Sequence, residues 1–220
     1  MLIVNALSKL LAGLGIVMLL LFLPAGTWCY WQAWLFIALL FIPMTLVGIW
    51  LLFRQPDLLA KRLNNKEKQT KKKSIVALSG VMFILGFVLC GLDARYAWSD
   101  IPLWLIICAS VLFLLGYAMY VEVMRENAYL SRTIEVQEGQ RVIDSGLYSI
   151  VRHPMYSATL LMYLAMPLIL GSAWALLVFA IYPLLIIQRI RNEETLLAAE
   201  LPGYTDYQQR IRYRLIPWIW

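Results

Sequence analysis

Four stretches of this chain, residues 10–53, 74–92, 101–121 and 154–188, contain no Asp, Glu, Lys or Arg. A helix needs about 20 apolar residues to cross the hydrocarbon of a bilayer, so each stretch reads as a span. The first and last are long enough to cross twice. Pro24, Gly26 and Thr27 punctuate the first, and Gly171 and Ser172 the last, as turn formers do inside apolar runs. The expectation is an all-α polytopic membrane protein with about six transmembrane helices, the final two short. With 62% of 220 residues hydrophobic and only 15% charged, a water-soluble core is excluded. Residues 10–23, behind Lys9, also have the length of a secretory h-region, and the span is the preferred reading. Cys29, Cys90 and Cys108 are irregularly spaced and read as small packing residues, with neither a disulfide framework nor a metal site implied.

Lys and Arg set the orientation, because short loops rich in them stay cytoplasmic. Residues 54–73 carry Arg54, Lys61, Arg62, Lys66, Lys68, Lys71, Lys72 and Lys73 against Asp57 and Glu67. Counting spans from this loop places both termini inside, together with residues 122–153 and the tail from Arg189. Residues 24–30 and 93–100 then face outward. The run KEKQTKKK beside two spans is explained by topology and attraction to anionic lipid; no nucleic-acid partner is expected. The organisation is four N-terminal spans in residues 1–121, then a polar-rich unit, 122–220, built around a short hairpin, 154–188.

Within that unit the segment GLYSIVRHPMYS, residues 146–157, holds the one histidine of the chain. Pro disfavours a helical conformation for the residue before it, so His153 is expected to be extended. Pro154 suits the first helical position. The N–H groups of Met155, Tyr156 and Ser157 would then open the fifth span as an anion site. At the far end of the hairpin Arg189 and Glu193 are four residues apart, on one helical face. A surface ion pair with Arg189 reaching towards headgroups is the plain reading of those two alone.

Taken together, Gly146 and Tyr148, then Arg152, His153, Pro154 and Tyr156, then Arg189 with Glu193 and Glu194, then Tyr204, Tyr207, Arg214, Ile216 and Pro217 resemble the pattern of the membrane-embedded isoprenylcysteine carboxyl methyltransferases and their bacterial and archaeal relatives. The resemblance covers about residues 138–220. It implies S-adenosylmethionine bound in a cytoplasmic-side pocket built from the C-terminal half. The implied cofactor contacts are Gln140, Arg141, Val142, Ile143, Tyr148, His153, Pro154, Met155, Tyr156 and Glu193, and Arg189 is the implied substrate-side catalytic arginine. Ala158 stands where the family usually has Gly, which would affect either the approach of backbone to cofactor or helix packing.

The residue chemistry is compatible with methyl transfer. Aromatic faces such as Tyr148 and Tyr156 suit a sulfonium. Glu193 suits an ammonium or ribose hydroxyls. An acceptor carboxylate is already ionised and needs orientation by a planar guanidinium rather than a base. The implied partner is a lipidic or prenylated molecule within membrane lipid. An amine acceptor such as a phospholipid would need a base, for which His153 or Glu194 is available. A nicotinamide-dependent sterol reductase and a noncatalytic scaffold are the remaining alternatives. Neither the acceptor nor the oligomeric state is legible.

Overall fold

The computed structural model describes residues 2–63, 70–130 and 136–220. No β-strand occurs among them. Nine α-helices are described: α1 (Leu2–Ala25), α2 (Trp31–Arg54), α3 (Pro56–Leu63), α4 (Thr70–Tyr96), α5 (Leu103–Glu126), α6 (Pro154–Ile169), α7 (Ala173–Phe179), α8 (Tyr182–Glu200) and α9 (Tyr204–Arg210). A 3-10 turn, Gly146–Ser149, precedes α6. α1, α2, α5, Ala77–Tyr96 within α4 and the combined stretch Ala173–Glu200 are long and apolar enough to cross a membrane. α6, with 16 residues, rises about 24 Å and is a short crossing.

The chain is thus a multi-pass membrane protein. Its outer helix faces bear Leu7, Leu11, Ile16, Leu46, Ile84, Val111 and Leu115 in exposed positions, which only a hydrocarbon solvent tolerates in such number. Exposed Trp28, Trp31, Trp34, Trp98, Trp104 and Trp174 all lie at helix ends or turns on one side of the spans. They form an interfacial aromatic belt.

Several boundaries differ from the sequence expectation. The first helix starts at Leu2, eight residues before the charge-free run, because Asn5, Ser8 and Lys9 remain helical at its membrane edge. The basic segment includes a helix, α3, started by Pro56; Lys66 and Lys68 lie outside the described residues. α4 continues through Asp93 to Tyr96. The expected outward loop therefore shortens, and Asp93 is buried. Of the cysteines, Cys90 packs in the core, whereas Cys29 and Cys108 are exposed.

The break after α1 occurs where expected. Gly26 has φ +66° and its N–H donates to the Phe22 carbonyl at 3.0 Å, a left-handed cap that glycine adopts without steric cost.

Asp93 ties the belt end together. Its Oδ1 accepts from Ser99 N at 2.8 Å, and its Oδ2 accepts from Ser99 Oγ at 2.7 Å and Ser172 Oγ at 2.5 Å. Ser99 Oγ in turn accepts from Ala173 N, and Ser172 Oγ from Ala175 N. A buried carboxylate is costly unless its lone pairs are filled; here it links α4, the 97–102 turn and the start of α7. Tyr30 adds a bond to the Leu170 carbonyl at 2.5 Å, so the α6–α7 turn is held from two sides.

α5 and α6 pack most closely at Gly116. A Cβ there would lie 2.8 Å from Met162 Cγ and 2.9 Å from the Ala158 carbonyl oxygen. Gly116→Ala should therefore overpack this seam and destabilise the protein by about 1–3 kcal/mol. The measurement is the thermal unfolding midpoint in detergent; an unchanged midpoint would show that the seam can open without cost.

Candidate functional site

The local structure of residues 146–157 follows from its sequence. Gly146 has φ +52° and the Glu126 carboxylate fills the space a side chain would take. Glu126 Oε2 accepts from Leu147 N at 3.2 Å, and Asn127 Nδ2 donates to the Tyr148 hydroxyl at 2.8 Å. The end of α5 therefore holds the 3-10 turn. His153 is non-helical, at φ −125° and ψ 60°, and Pro154 opens α6. The expected anion site is corrected: the N–H groups of Tyr156 and Ser157 already donate to the His153 carbonyl at 3.0 and 3.2 Å.

Arg152 and Glu194 form the centre of the arrangement, both buried. Arg152 Nε donates to Glu194 Oε1 at 2.7 Å, and His153 Nε2 lies 3.3 Å from the same oxygen. Arg214 Nε donates to Oε2 at 2.8 Å. Arg152 Nη1 donates to the carbonyls of Gln208, Ile211 and Arg212 at 3.4, 2.6 and 3.0 Å, closing the end of α9. The backbone completes the clamp, with Arg152 N donating to Tyr213 O and His153 N to Arg214 O, each at 2.9 Å. Loop, α8, α9 and the 211–220 strap thus meet on one ion pair. Glu194 is withdrawn from the cavity by these bonds, so its expected availability as a base is corrected. An ionised carboxylate only accepts, so His153 carries its proton on Nε2 towards Glu194.

The adjacent glutamate has a different setting. Tyr156 donates its hydroxyl to Glu193 Oε2 at 2.6 Å and accepts from Arg189 Nε at 2.8 Å. The Arg189 guanidinium also lies 5.8 Å from the Tyr156 ring centroid. Arg189 and Glu193 are accordingly joined through a buried phenol from α6, which the surface-pair reading does not provide.

One cavity is lined by Gln140, Arg141, Val142, Ile143, Tyr148, His153, Pro154, Met155, Tyr156, Arg189 and Glu193, all the residues named from sequence. Val142 packs against the apolar cluster of Leu201, Tyr204 and Tyr207, and Ile143 against a second cluster that includes Val123, Met124 and Tyr148. Ala158 is absent from the lining; it is fully buried against α5 opposite Gly116. Its departure from the family pattern bears on helix packing.

Sequence reasoning did not name Asn127 as a lining residue, nor give roles to Tyr204 and Tyr207. Tyr207 donates to the Tyr148 carbonyl at 2.7 Å. Tyr204 is buried, lines the cavity, and its hydroxyl has no hydrogen-bond partner. Burial, reinforced by the Glu194 and Glu193 carboxylates, pushes its phenol well above the ordinary value, so it remains a donor. An orphaned buried donor on a residue that lines a cavity is a feature a ligand could satisfy. Only its Tyr-x-x-Tyr spacing was visible beforehand.

Comparisons with known proteins bear on the family and the fold. Residues 105–199 match the model of the isoprenylcysteine carboxyl methyltransferase (ICMT) family. The fold matches a solved eukaryotic intramembrane Ras methyltransferase ICMT with a TM-score of 0.60, over 97% of this chain and 77% of that one, at 18% identity. A stretch of 91 residues is 32% identical to the Delta(14)-sterol reductase TM7SF2 of Mus musculus, taking up 40% of this chain and 22% of the reductase. This chain therefore spans about a fifth of the length of that curated relative. The resemblance to the ICMT family read from the motifs is borne out by the family match and by the fold.

Tyr204→Phe removes the orphaned hydroxyl without opening a void. Folding stability should be unchanged or slightly raised, while affinity for S-adenosylmethionine, the cofactor that the family resemblance implies, should fall by about 0.5–1.5 kcal/mol if the hydroxyl belongs to the ligand site. Thermal unfolding and calorimetric titration measure the two. Unchanged affinity would remove the hydroxyl from the ligand site.

Proposed function

We propose that this ICMT-like membrane methyltransferase uses S-adenosylmethionine and methylates a lipidic carboxylate of the isoprenylcysteine type. The observation that carries the reading is the convergence of Arg189, Tyr156 and Glu193 with the 140–143 segment and the His153–Tyr156 turn on one cavity. The donor set fits the cofactor. Glu193 suits its ammonium or ribose hydroxyls, the faces of Tyr148 and Tyr156 suit its sulfonium, and the Tyr204 hydroxyl awaits an acceptor. When bound, the cofactor supplies a methyl group to an attacking carboxylate oxygen, the C–O bond forming as the C–S bond breaks and the sulfonium is neutralised.

The chain's own residues do the rest by positioning. Tyr156 fixes the plane of the Arg189 guanidinium through Nε, and an oriented guanidinium can hold a carboxylate by paired N–H bonds. The carboxylate needs no base, and none is required of His153, whose Nε2 proton is directed to Glu194. Alignment and exclusion of water then supply most of the rate. Tyr156, by bonding both Arg189 and Glu193, links acceptor orientation to the cofactor end of the cavity.

A lipidic acceptor is supported by a second cavity of about 280 Å³ among α2, α4, α5 and α6, lined by Phe83, Phe87, Tyr117, Tyr163 and Met162. Thr159 lines it and donates to the Tyr156 carbonyl at 3.1 Å, so successive turns of α6 contribute to the two cavities. We place the first cavity on the cytoplasmic side, because α5 ends and α6 begins on the same side of the spans as the basic 54–73 segment. On this reading residues 1–121 serve as the membrane frame and 122–220 as the methyl-transfer unit. Sequence likeness to a sterol reductase keeps reduction as the second reading; thermal stabilisation by NADPH and not by S-adenosylmethionine would select it.

The test is transfer of labelled methyl from S-adenosylmethionine to a panel of prenylcysteines, lipid acids and aminophospholipids. Base-labile ester formation on a carboxylate is expected. Arg189→Lys, which keeps the charge but loses the fork, should retain cofactor binding and lower turnover by about 10²-fold or more. Near-normal turnover in that variant, or base-stable amine products, would overturn the carboxylate assignment.

A further inference from the structure

The strap at residues 211–220 does more than close the clamp. Leu215 is buried in the same core cluster as Met162, Phe179 and Tyr182 of the spanning helices, and Trp220 packs against it. Ser157 Oγ, in the first turn of α6, donates to the Leu215 carbonyl at 2.5 Å. The strap therefore dips to the level at which α6 starts its crossing.

At that level Trp218 is 85% exposed and Ile219 76% exposed. The tip that carries them is held in one shape. Arg214 N, Leu215 N and Ile216 N donate to the Trp220 carbonyl at 3.0, 2.9 and 3.1 Å, and Trp220 N returns a bond to Ile216 O at 3.1 Å. Trp218 sits at φ +64°, a left-handed conformation that is a genuine outlier for a bulky residue. Two large apolar side chains turned outward at the membrane edge on a strained, closed loop have a plain physical occupant: the boundary between headgroups and acyl chains, where Trp is favoured. Arg212, exposed on the same strap, suits the headgroup side.

We infer that residues 211–220 form a re-entrant interfacial foot, with Trp218 and Ile219 seated in the bilayer boundary, and that this seat steadies the Arg152–His153 turn. The mechanical link is short. The Tyr213 and Arg214 carbonyls take the N–H groups of Arg152 and His153, and Arg214 Nε holds Glu194. The inference does not depend on which reaction the cavity performs.

The experiment uses the full chain in phosphatidylcholine nanodiscs. The emission of Trp218 is obtained as the difference between wild type and Trp218→Phe. That difference should be quenched by lipids brominated near the top of the acyl chain and little affected by aqueous iodide. Quenching by iodide and not by brominated lipid would overturn the proposal. Amide exchange of residues 150–156 should accelerate about tenfold in Trp218→Ser/Ile219→Ser and stay at the wild-type rate in Trp218→Phe/Ile219→Leu. Equal exchange in all three proteins would sever the link between the foot and the site.

Discussion

The buried carboxylate of Glu194 is the constraint on which the site end of this protein depends. An unpaired charge at that depth costs several kcal/mol, and Glu194 escapes it by taking bonds from Arg152 and Arg214 and facing His153 Nε2. Those residues come from the loop before α6 and from the strap after α9, so satisfying one carboxylate requires α8, the loop and the strap to be in place together. Arg152 extends the requirement by filling three carbonyls at the end of α9. The cavity is a consequence: its walls are the faces these elements present once they are clamped. Asp93 plays the matching part at the belt end, where Ser99 and Ser172 bind it. The α6–α8 hairpin is thus anchored by a filled carboxylate at each end and by apolar packing between.

Much of the fold was legible because charge-free runs report hydrocarbon solvent directly, and Gly26, Pro154 and Gly171 mark backbone changes that have local causes. Asp93 was not. In sequence it stands beside Ala94, Arg95 and Tyr96 and reads as the polar end of a span; its partner Ser172 is 79 residues away. The sequence separated Glu193 from Glu194 by its spacing from Arg189 and by family resemblance, but the place of Glu194 inside a clamp was not legible, because its partners Arg152 and Arg214 come from the loop and the strap. The structure separates them, one on the cavity with Tyr156 and the other inside the clamp. The cavity residues themselves were named from family resemblance, and their convergence shows that segments 140–156 and 189–193 share one surface. The Tyr204 hydroxyl could be recognised only by its missing partner.

The account divides labour between two glutamates that share a peptide bond. On the proposed function Glu193, which lines the cavity, acts on the ligand, and Glu194, inside the clamp, acts on the fold. Calorimetric binding of S-adenosylmethionine, measured with thermal unfolding for Glu193→Gln and Glu194→Gln, tests that division most directly. The account predicts that Glu193→Gln keeps the wild-type unfolding midpoint and loses about 1.5–3 kcal/mol of binding. It predicts that Glu194→Gln, which leaves the buried Arg152 guanidinium uncompensated, is destabilised by about 3–5 kcal/mol and binds weakly because the cavity is no longer assembled. A stable Glu194→Gln protein with wild-type affinity, or a Glu193→Gln protein that binds normally, would contradict it.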